Sequence, residues 1–350
     1  MIILGIESTC DETGVGIVQD GTRILANVVA SSAALYNKYG GIVPEIAARE
    51  QVRVMVPVLR EALESAQLKL GQVDAIAVAY GPGLVGSLLV GVETAKTLSL
   101  VYKKPLIPVN HLIGHVYANW LDTKVTEVSK VSNVSKVKNK RPEFPLVALI
   151  VSGGHTDLIL MKGHGNYIWL GGTRDDAAGE VFDKVARVLG LGYPGGPLIE
   201  TLAEKLARGR ERSKIKFPRP LINDASFDFS FSGLKTSVVN LVHSSQFTVH
   251  NKEDIAYEFQ QAVIDVLVKK TFAAAQKYKV KTVIVGGGVS ASSKLREEME
   301  RVAGDTDLTV SFPEKFLSGD NGSMIASAAF FEKKSIEPLK LFARPDLYFD

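Results

Sequence analysis

The sequence predicts an α/β fold assembled from two similar halves, and three observations carry that prediction. Strand-like apolar runs alternate with helix-like stretches along the chain, as in a layered α/β protein. The stretch LVALIVSGGHTDLILM, Leu146 to Met161, places two short apolar runs around a turn of small residues, the pattern of two buried strands and a tight turn. The N-terminus does the same: Ile2 to Ile6, then Glu7-Ser-Thr-Cys-Asp-Glu-Thr-Gly14, then Val15 to Val18. A third glycine turn, Gly286-Gly-Gly-Val-Ser-Ala-Ser292, follows the strand-like run Lys281 to Val285, read as the last core strand. Turns of this kind expose backbone N–H groups and suit phosphate.

Composition narrows the class. A chain of 350 residues can form two domains, and 46% hydrophobic with 23% charged residues is the make-up of a globular protein. No apolar run approaches the ~18 to 20 residues of a membrane span, and the run Ile2 to Ile6 is too short for a secretory signal. The single cysteine, Cys10, excludes an internal disulfide framework and a multi-cysteine zinc site. A reducing, cytoplasmic setting with no membrane is the expectation. A net charge of +3 permits a nucleic-acid partner without arguing for one.

Along the chain, Glu45 to Leu68 keeps helical spacing at Val52, Met55, Val56, Leu59 and Leu63, with Pro57 inside it. Val73 to Ala79 reads as a strand ending in Gly81-Pro-Gly83, with a helix over Leu84 to Tyr102. Leu106 to Val109 is a short strand, and Asn110 is placed to cap a helix opening at His111. Asp122 to Arg141 is a degenerate repeat of valine, serine and lysine, read as a basic, flexible insertion. In the second half, helices are expected from Asp175 through Leu189, over Leu198 to Ala207 and over Ile255 to Tyr278. Gly192 to Pro197 reads as a loop, and Arg208 to Arg219 as a basic run. Asp320-Asn-Gly322 precedes a helix of small residues, Ser323 to Phe331. The expected division is a first half over 1–121, the insertion over 122–141, and a second half over 142–320 with inserted helices at about 198–250. A C-terminal helix at about 321–345 then packs back on the first half.

Several residues could do chemistry. His111 and His115, at i and i+4, share a helix face, as two imidazoles on one metal ion must. The intervening Leu112-Ile-Gly114 lacks the glutamate of the H-E-x-x-H metalloprotease motif. A third ligand has to come from elsewhere, and Asp320, from the other half, is the candidate. Asp11 and Glu12 in the first turn can hold a cation or act as bases; as ordinary residues they would be solvated turn charges. Asp183 can accept hydrogen bonds from hydroxyls, and Gly195 and Gly196 let backbone approach a ligand. The layout of two halves is that of the actin, hexokinase and Hsp70 superfamily, which binds nucleotide between the halves. Spacing alone leaves a doubly wound dinucleotide-binding fold open, although no G-x-G-x-x-G follows the first strand.

Taken together and in order, the motifs identify more. Ile6 to Gly14, Tyr39-Gly-Gly-Ile-Val-Pro-Glu45, Gly81 to Gly86, Asn110-His-Leu-Ile-Gly-His115, Val151-Ser-Gly-Gly-His-Thr156, Asp175 to Asp183, Tyr193-Pro-Gly-Gly-Pro197, Phe229 to Lys235 and Asp320-Asn-Gly322 resemble the tRNA adenosine threonylcarbamoyltransferase family of the TsaD type, in its bacterial and organellar branch. The resemblance covers the chain apart from Asp122 to Arg141. It implies the duplicated actin/Hsp70/hexokinase-like fold. It also implies transfer of a threonylcarbamoyl group from threonylcarbamoyl-AMP to N6 of the adenosine 3′ of the anticodon, in tRNAs reading codons that begin with A. By matching motif, His111, His115 and Asp320 would hold one divalent ion, iron(II) ahead of zinc. Val151, Ser152, Gly153, Gly154, His155, Asp183, Gly196 and Ser292 would bind the adenylate. Where the family pattern is Val-Ser-Ala-Asn, this chain has Val289-Ser-Ala-Ser292, and a serine lacks the paired donor and acceptor of an amide. Partners implied are tRNA, a paralogue of the same fold and a small P-loop ATPase (TsaB- and TsaE-like). The alternatives are a non-catalytic nucleotide-binding scaffold of the same complex and a small-molecule carbamoyltransferase or kinase of the superfamily.

Overall fold

The computed structural model describes residues 1–36, 41–122, 141–207, 215–244 and 252–349. The insertion expected at 122–141 falls, but for its two ends, outside them, as do the first residues of the Tyr39 motif and 208–214 of the basic run. Contacts divide the chain into two units: Met1–Pro142 with Pro313–Asp350, and Glu143–Phe312.

In the first unit, β1 (Ile2–Glu7), β2 (Glu12–Gln19), β3 (Arg23–Ser31), β4 (Ala75–Gly81) and β5 (Leu106–Asn110) form one sheet in the order β3-β2-β1-β4-β5. β1, β2 and β3 pair antiparallel, while β1, β4 and β5 pair parallel. Ile6, Val15, Ile17, Val78 and Val92 are fully buried in its core. The helix Pro44–Ser65 buries Ala47, Gln51, Met55, Val58, Leu59 and Ala62. Val52 and Val56, expected on its inner face, are exposed, because the buried stripe runs one position round.

The helix Gly322–Glu332 lies directly on β1 and β2, and glycine makes that approach possible. A methyl group on Gly5 would stand 2.2 Å from the Gly322 carbonyl oxygen, and one on Gly16 would stand 2.1 Å from the Ser323 nitrogen. Asn321 caps this helix, its side chain accepting from the Met324 N–H at 3.0 Å. The helix ends at Glu332, well short of 345. Pro313 to Asp320, read from sequence as part of the second half, therefore stands with the first, because the helix that follows packs there.

The second unit repeats the sheet. β6 (Leu146–Val151), β7 (Thr156–Gly163), β8 (Asn166–Gly172), β9 (Thr282–Gly286) and β10 (Thr309–Ser311) run in the order β10-β9-β6-β7-β8. Strand for strand this is the first order again, with the same parallel and antiparallel pairs. β10, not β9, is the last strand. Helices Ala178–Val188, Gly195–Ala207, Ser232–Val242, Lys252–Lys277 and Ser293–Gly304 complete the unit. The alternation of Phe227, Phe229 and Phe231 buries all three rings. Gly195 and Gly196, expected in a loop, open a helix instead. No helix among the described residues is long and apolar enough to cross a membrane.

Candidate metal centre and glycine cradle

The histidine pair sits where the sequence placed it. β5 ends at Asn110, whose side chain accepts from the Leu112 N–H at 2.8 Å and so starts the helix His111–Tyr117. Gly114, between the histidines, keeps that helix tight against its neighbour; a methyl group there would stand 2.8 Å from the Ile325 side chain. The neighbour is the helix led in by Asp320, and this packing brings the carboxylate to the imidazoles. Asp320 Oδ1 lies 3.2 Å from His115 Nε2 and 3.7 Å from His111 Nε2. One ligand atom from each of the three residues falls within 4.8 Å of the others.

The donor set fits a divalent cation. Two imidazoles and one carboxylate leave coordination positions open, as zinc and non-haem iron sites do. His115 is fully buried, and neither of its ring nitrogens has a hydrogen-bond partner, although Asp320 is within ion-pair distance. Buried polar atoms of that kind are normally satisfied, and a metal ion at Nε2 would satisfy one of them.

Carboxylates crowd the surroundings. Glu7 is fully buried; its Oε1 accepts the Thr9 N–H at 2.7 Å and its Oε2 lies 3.0 Å from His111 Nδ1. Burial disfavours a charge on His111, but the Glu7 and then the Asp320 carboxylates outweigh it and hold the imidazole's proton up to about 9. Burial foremost, then Asp320, Asp11 and Glu7, push the Glu12 carboxyl up to about 8. The surplus of negative charge attracts a cation. The turn carrying these groups is clamped from outside: Gln51 donates to the Cys10 and Glu12 carbonyls at 3.0 and 3.2 Å. Ser87 donates to the Cys10 carbonyl at 3.0 Å, and Ser32 to that of Asp11.

The second unit assembles the other candidates. The turn after β6 closes with the Ser152 N–H donating to the His155 carbonyl at 2.9 Å and the His155 N–H to Ser152 Oγ at 3.2 Å. Gly153 and Gly154 face open space, where added methyl groups would touch nothing within 4 Å. Beside them the chain after β9 crosses Val151 at Gly287. This residue has φ +94°, and a methyl group on it would stand 2.3 Å from the Val151 carbonyl oxygen, so glycine is needed twice over. The Gly179 N–H donates to the Ser152 carbonyl at 3.1 Å, tying the helix Ala178–Val188 to the turn. Asp183, on that helix, accepts the Gly195 N–H at 2.6 Å and so caps the helix Gly195–Ala207. Burial raises the Asp183 carboxyl above its usual range. Gly196 faces open space. Ser292 caps the helix Ser293–Gly304 through the Leu295 N–H at 3.3 Å. Glu7 is the functional neighbour that sequence reasoning passed over; the available signal was an acidic residue closing an otherwise apolar strand.

The fold places the chain first. Full-length HypF, solved in its phosphate- and nucleotide-bound form, superimposes with a TM-score of 0.59 at 11% identity, over 95% of this chain and 46% of that one. Component A of the (R)-2-hydroxyglutaryl-CoA dehydratase of Acidaminococcus fermentans does so at 0.51 and 16%, over 94% and 98%. The class is the duplicated fold of the actin, hexokinase and Hsp70 superfamily.

Sequence narrows this to one family. The family model of TsaD, tRNA N6-adenosine threonylcarbamoyltransferase, matches residues 23–327. The proteins of that name from Moorella thermoacetica and Symbiobacterium thermophilum are 48% and 49% identical. The alignments cover 99% and 94% of this chain, and 96% and 91% of the relatives. The chain belongs to this family of transferases.

Proposed function

We propose that this chain transfers the threonylcarbamoyl group of threonylcarbamoyl-AMP to N6 of the adenosine 3′ of the anticodon in tRNAs reading codons that begin with A. Family membership carries the reaction class, and the cluster of two buried histidines, His111 and His115, with the half-buried Asp320 is the observation that favours catalysis over a scaffold role.

Adenine N6 is a poor nucleophile because its lone pair is delocalised into the ring, so the carbamoyl carbon must be activated and the amine held against it. His111, His115 and Asp320 would hold one divalent ion, iron(II) ahead of zinc, which when bound supplies Lewis-acid polarisation of a substrate oxygen. Glu12 and Asp11 are the candidates to accept the N6 proton. Burial and the neighbouring carboxylates raise the Glu12 carboxyl in the metal-free protein, and a cation bound beside it would favour the ionised form that accepts a proton. Backbone N–H groups around Gly153, Gly154 and Gly287 to Val289 suit the phosphate of the departing AMP. Asp183 Oδ1 is engaged by Gly195, which leaves its second oxygen for a hydroxyl of the nucleotide. Val151, Ser152, His155 and Gly196 line the same binding role in this reading. Ser292 already spends one lone pair on capping its helix, which leaves its hydroxyl proton and a second lone pair for binding. A paralogue of the same fold and a small P-loop ATPase remain the proposed partners, with a cytoplasmic setting.

The test is a transfer assay with threonylcarbamoyl-AMP and unmodified tRNA, with and without the proposed partners. Modified adenosine is the expected product. Its absence under every condition, from protein that binds metal and adenylate, refutes the enzymatic reading.

A further inference from the structure

We propose that Glu7 is the positioning residue of the metal centre: it keeps a proton on His111 Nδ1 and so leaves Nε2 as the atom that ligates. This rests on the reading of His111, His115 and Asp320 as a metal site.

The geometry gives Glu7 two acceptor tasks. Its Oε1 takes the Thr9 N–H at 2.7 Å, and its Oε2 faces His111 Nδ1 at 3.0 Å. The side chain is fully buried, so no water stands in for either oxygen. Thr9 Oγ1, 3.3 Å from the same nitrogen, can donate or accept and fixes no direction. A carboxylate can only accept, so Nδ1 must carry the hydrogen. With Nδ1 held in its hydrogen bond to Glu7, Nε2, on the Asp320 side, is the nitrogen that gives up its hydrogen to a metal ion and ligates through the lone pair so freed. His115 has no such partner on either nitrogen. The two histidines are therefore unequal: His111 is oriented by a carboxylate on Nδ1, the nitrogen away from the proposed ion, whereas the carboxylate near His115 is Asp320, on Nε2, the ligand side itself.

Replacing one oxygen of Glu7 by an N–H₂ group reverses this logic. In Glu7→Gln the amide oxygen must keep the Thr9 N–H, so the amide nitrogen turns to Nδ1, which then has to accept. The imidazole proton moves to Nε2, where it blocks ligation. Glu7→Asp keeps two acceptors.

Zinc(II) is a suitable redox-silent probe, with affinity measured by chelator competition and the His111 Nδ1–H followed by nitrogen-15 NMR on the zinc-loaded protein. Native protein is expected to bind one zinc and to show a slowly exchanging Nδ1–H. Glu7→Gln should bind about 10- to 100-fold more weakly and lose that resonance. Glu7→Asp should keep the resonance with intermediate affinity. A folded Glu7→Gln with affinity within about twofold of native and an unchanged resonance overturns the proposal. If Glu7→Gln does not fold, Glu7→Asp decides: native affinity without the resonance overturns it equally. Native protein that takes up no stoichiometric zinc defeats the metal site itself, a result distinct from either.

Discussion

The turn between β1 and β2 and the turn between β6 and β7 occupy equivalent places in sheets of the same strand order, yet they are built for opposite charge. The first gathers Glu7, Asp11 and Glu12 and is clamped through its carbonyls by Gln51, Ser87 and Ser32. The second has glycines facing open space and no carboxylate before Asp157, whose Oδ1 is taken by the Trp169 indole at 3.0 Å. One turn suits a cation and the other an anion. Topology decides where a turn stands, and the side chains at its tip decide which sign of charge it receives.

The sharpest way to break this comparison is to empty the cation side alone. His111→Ala with His115→Ala should leave a folded protein without stoichiometric metal and with transfer reduced about 10³-fold or more, since a metal is worth several kcal/mol to such a transition state. Metal analysis, circular dichroism and the transfer assay read the three parts. Stoichiometric metal in the double variant would sink the assignment.

The next effect separates the two units by their glycines. Gly5→Ala drives a methyl group into the Gly322 carbonyl, and Gly287→Ala drives one into that of Val151 at an unfavourable φ. Each should cost about 2–3 kcal/mol by chemical denaturation. Gly5→Ala should weaken zinc binding while sparing adenylate; Gly287→Ala should do the reverse. Equal losses of both ligands in both variants would erase the distinction.

The acidic turn also predicts a pH dependence. Glu12 holds its proton more tightly folded than unfolded, so its contribution is fully present below the unfolded value of about 4.5 and is lost as pH rises through about 8. The metal-free protein should melt several degrees lower at pH 8 than at pH 5, and Glu12→Gln should flatten that slope. The smallest effect belongs to the open turn. Gly153→Ala should change stability by about 0.5 kcal/mol or less, while weakening adenylate in a calorimetric titration.

Sequence reading succeeded where the signal is local. The apolar runs of β1 and β6, the cap at Asn110 and the i, i+4 histidines all depend on near neighbours. It failed on β3, β8 and β10, whose partly exposed residues carry no clean alternation. It missed Glu7 because that carboxylate gains its meaning from His111, 104 residues away. It misplaced Asp320 because the reason for its position lies in Gly5 and Gly16, which look like ordinary strand glycines until a helix is laid on them.

That close approach also orders events in time. The histidines leave the ribosome early, and all of 143–312 is made before Asp320 and the helix that seats against Gly5 and Gly16. A nascent chain thus carries two exposed imidazoles and an uncovered sheet face until its last segment arrives. If His111, His115 and Asp320 hold a metal ion as proposed, its ligand set is completed late in the chain's own synthesis.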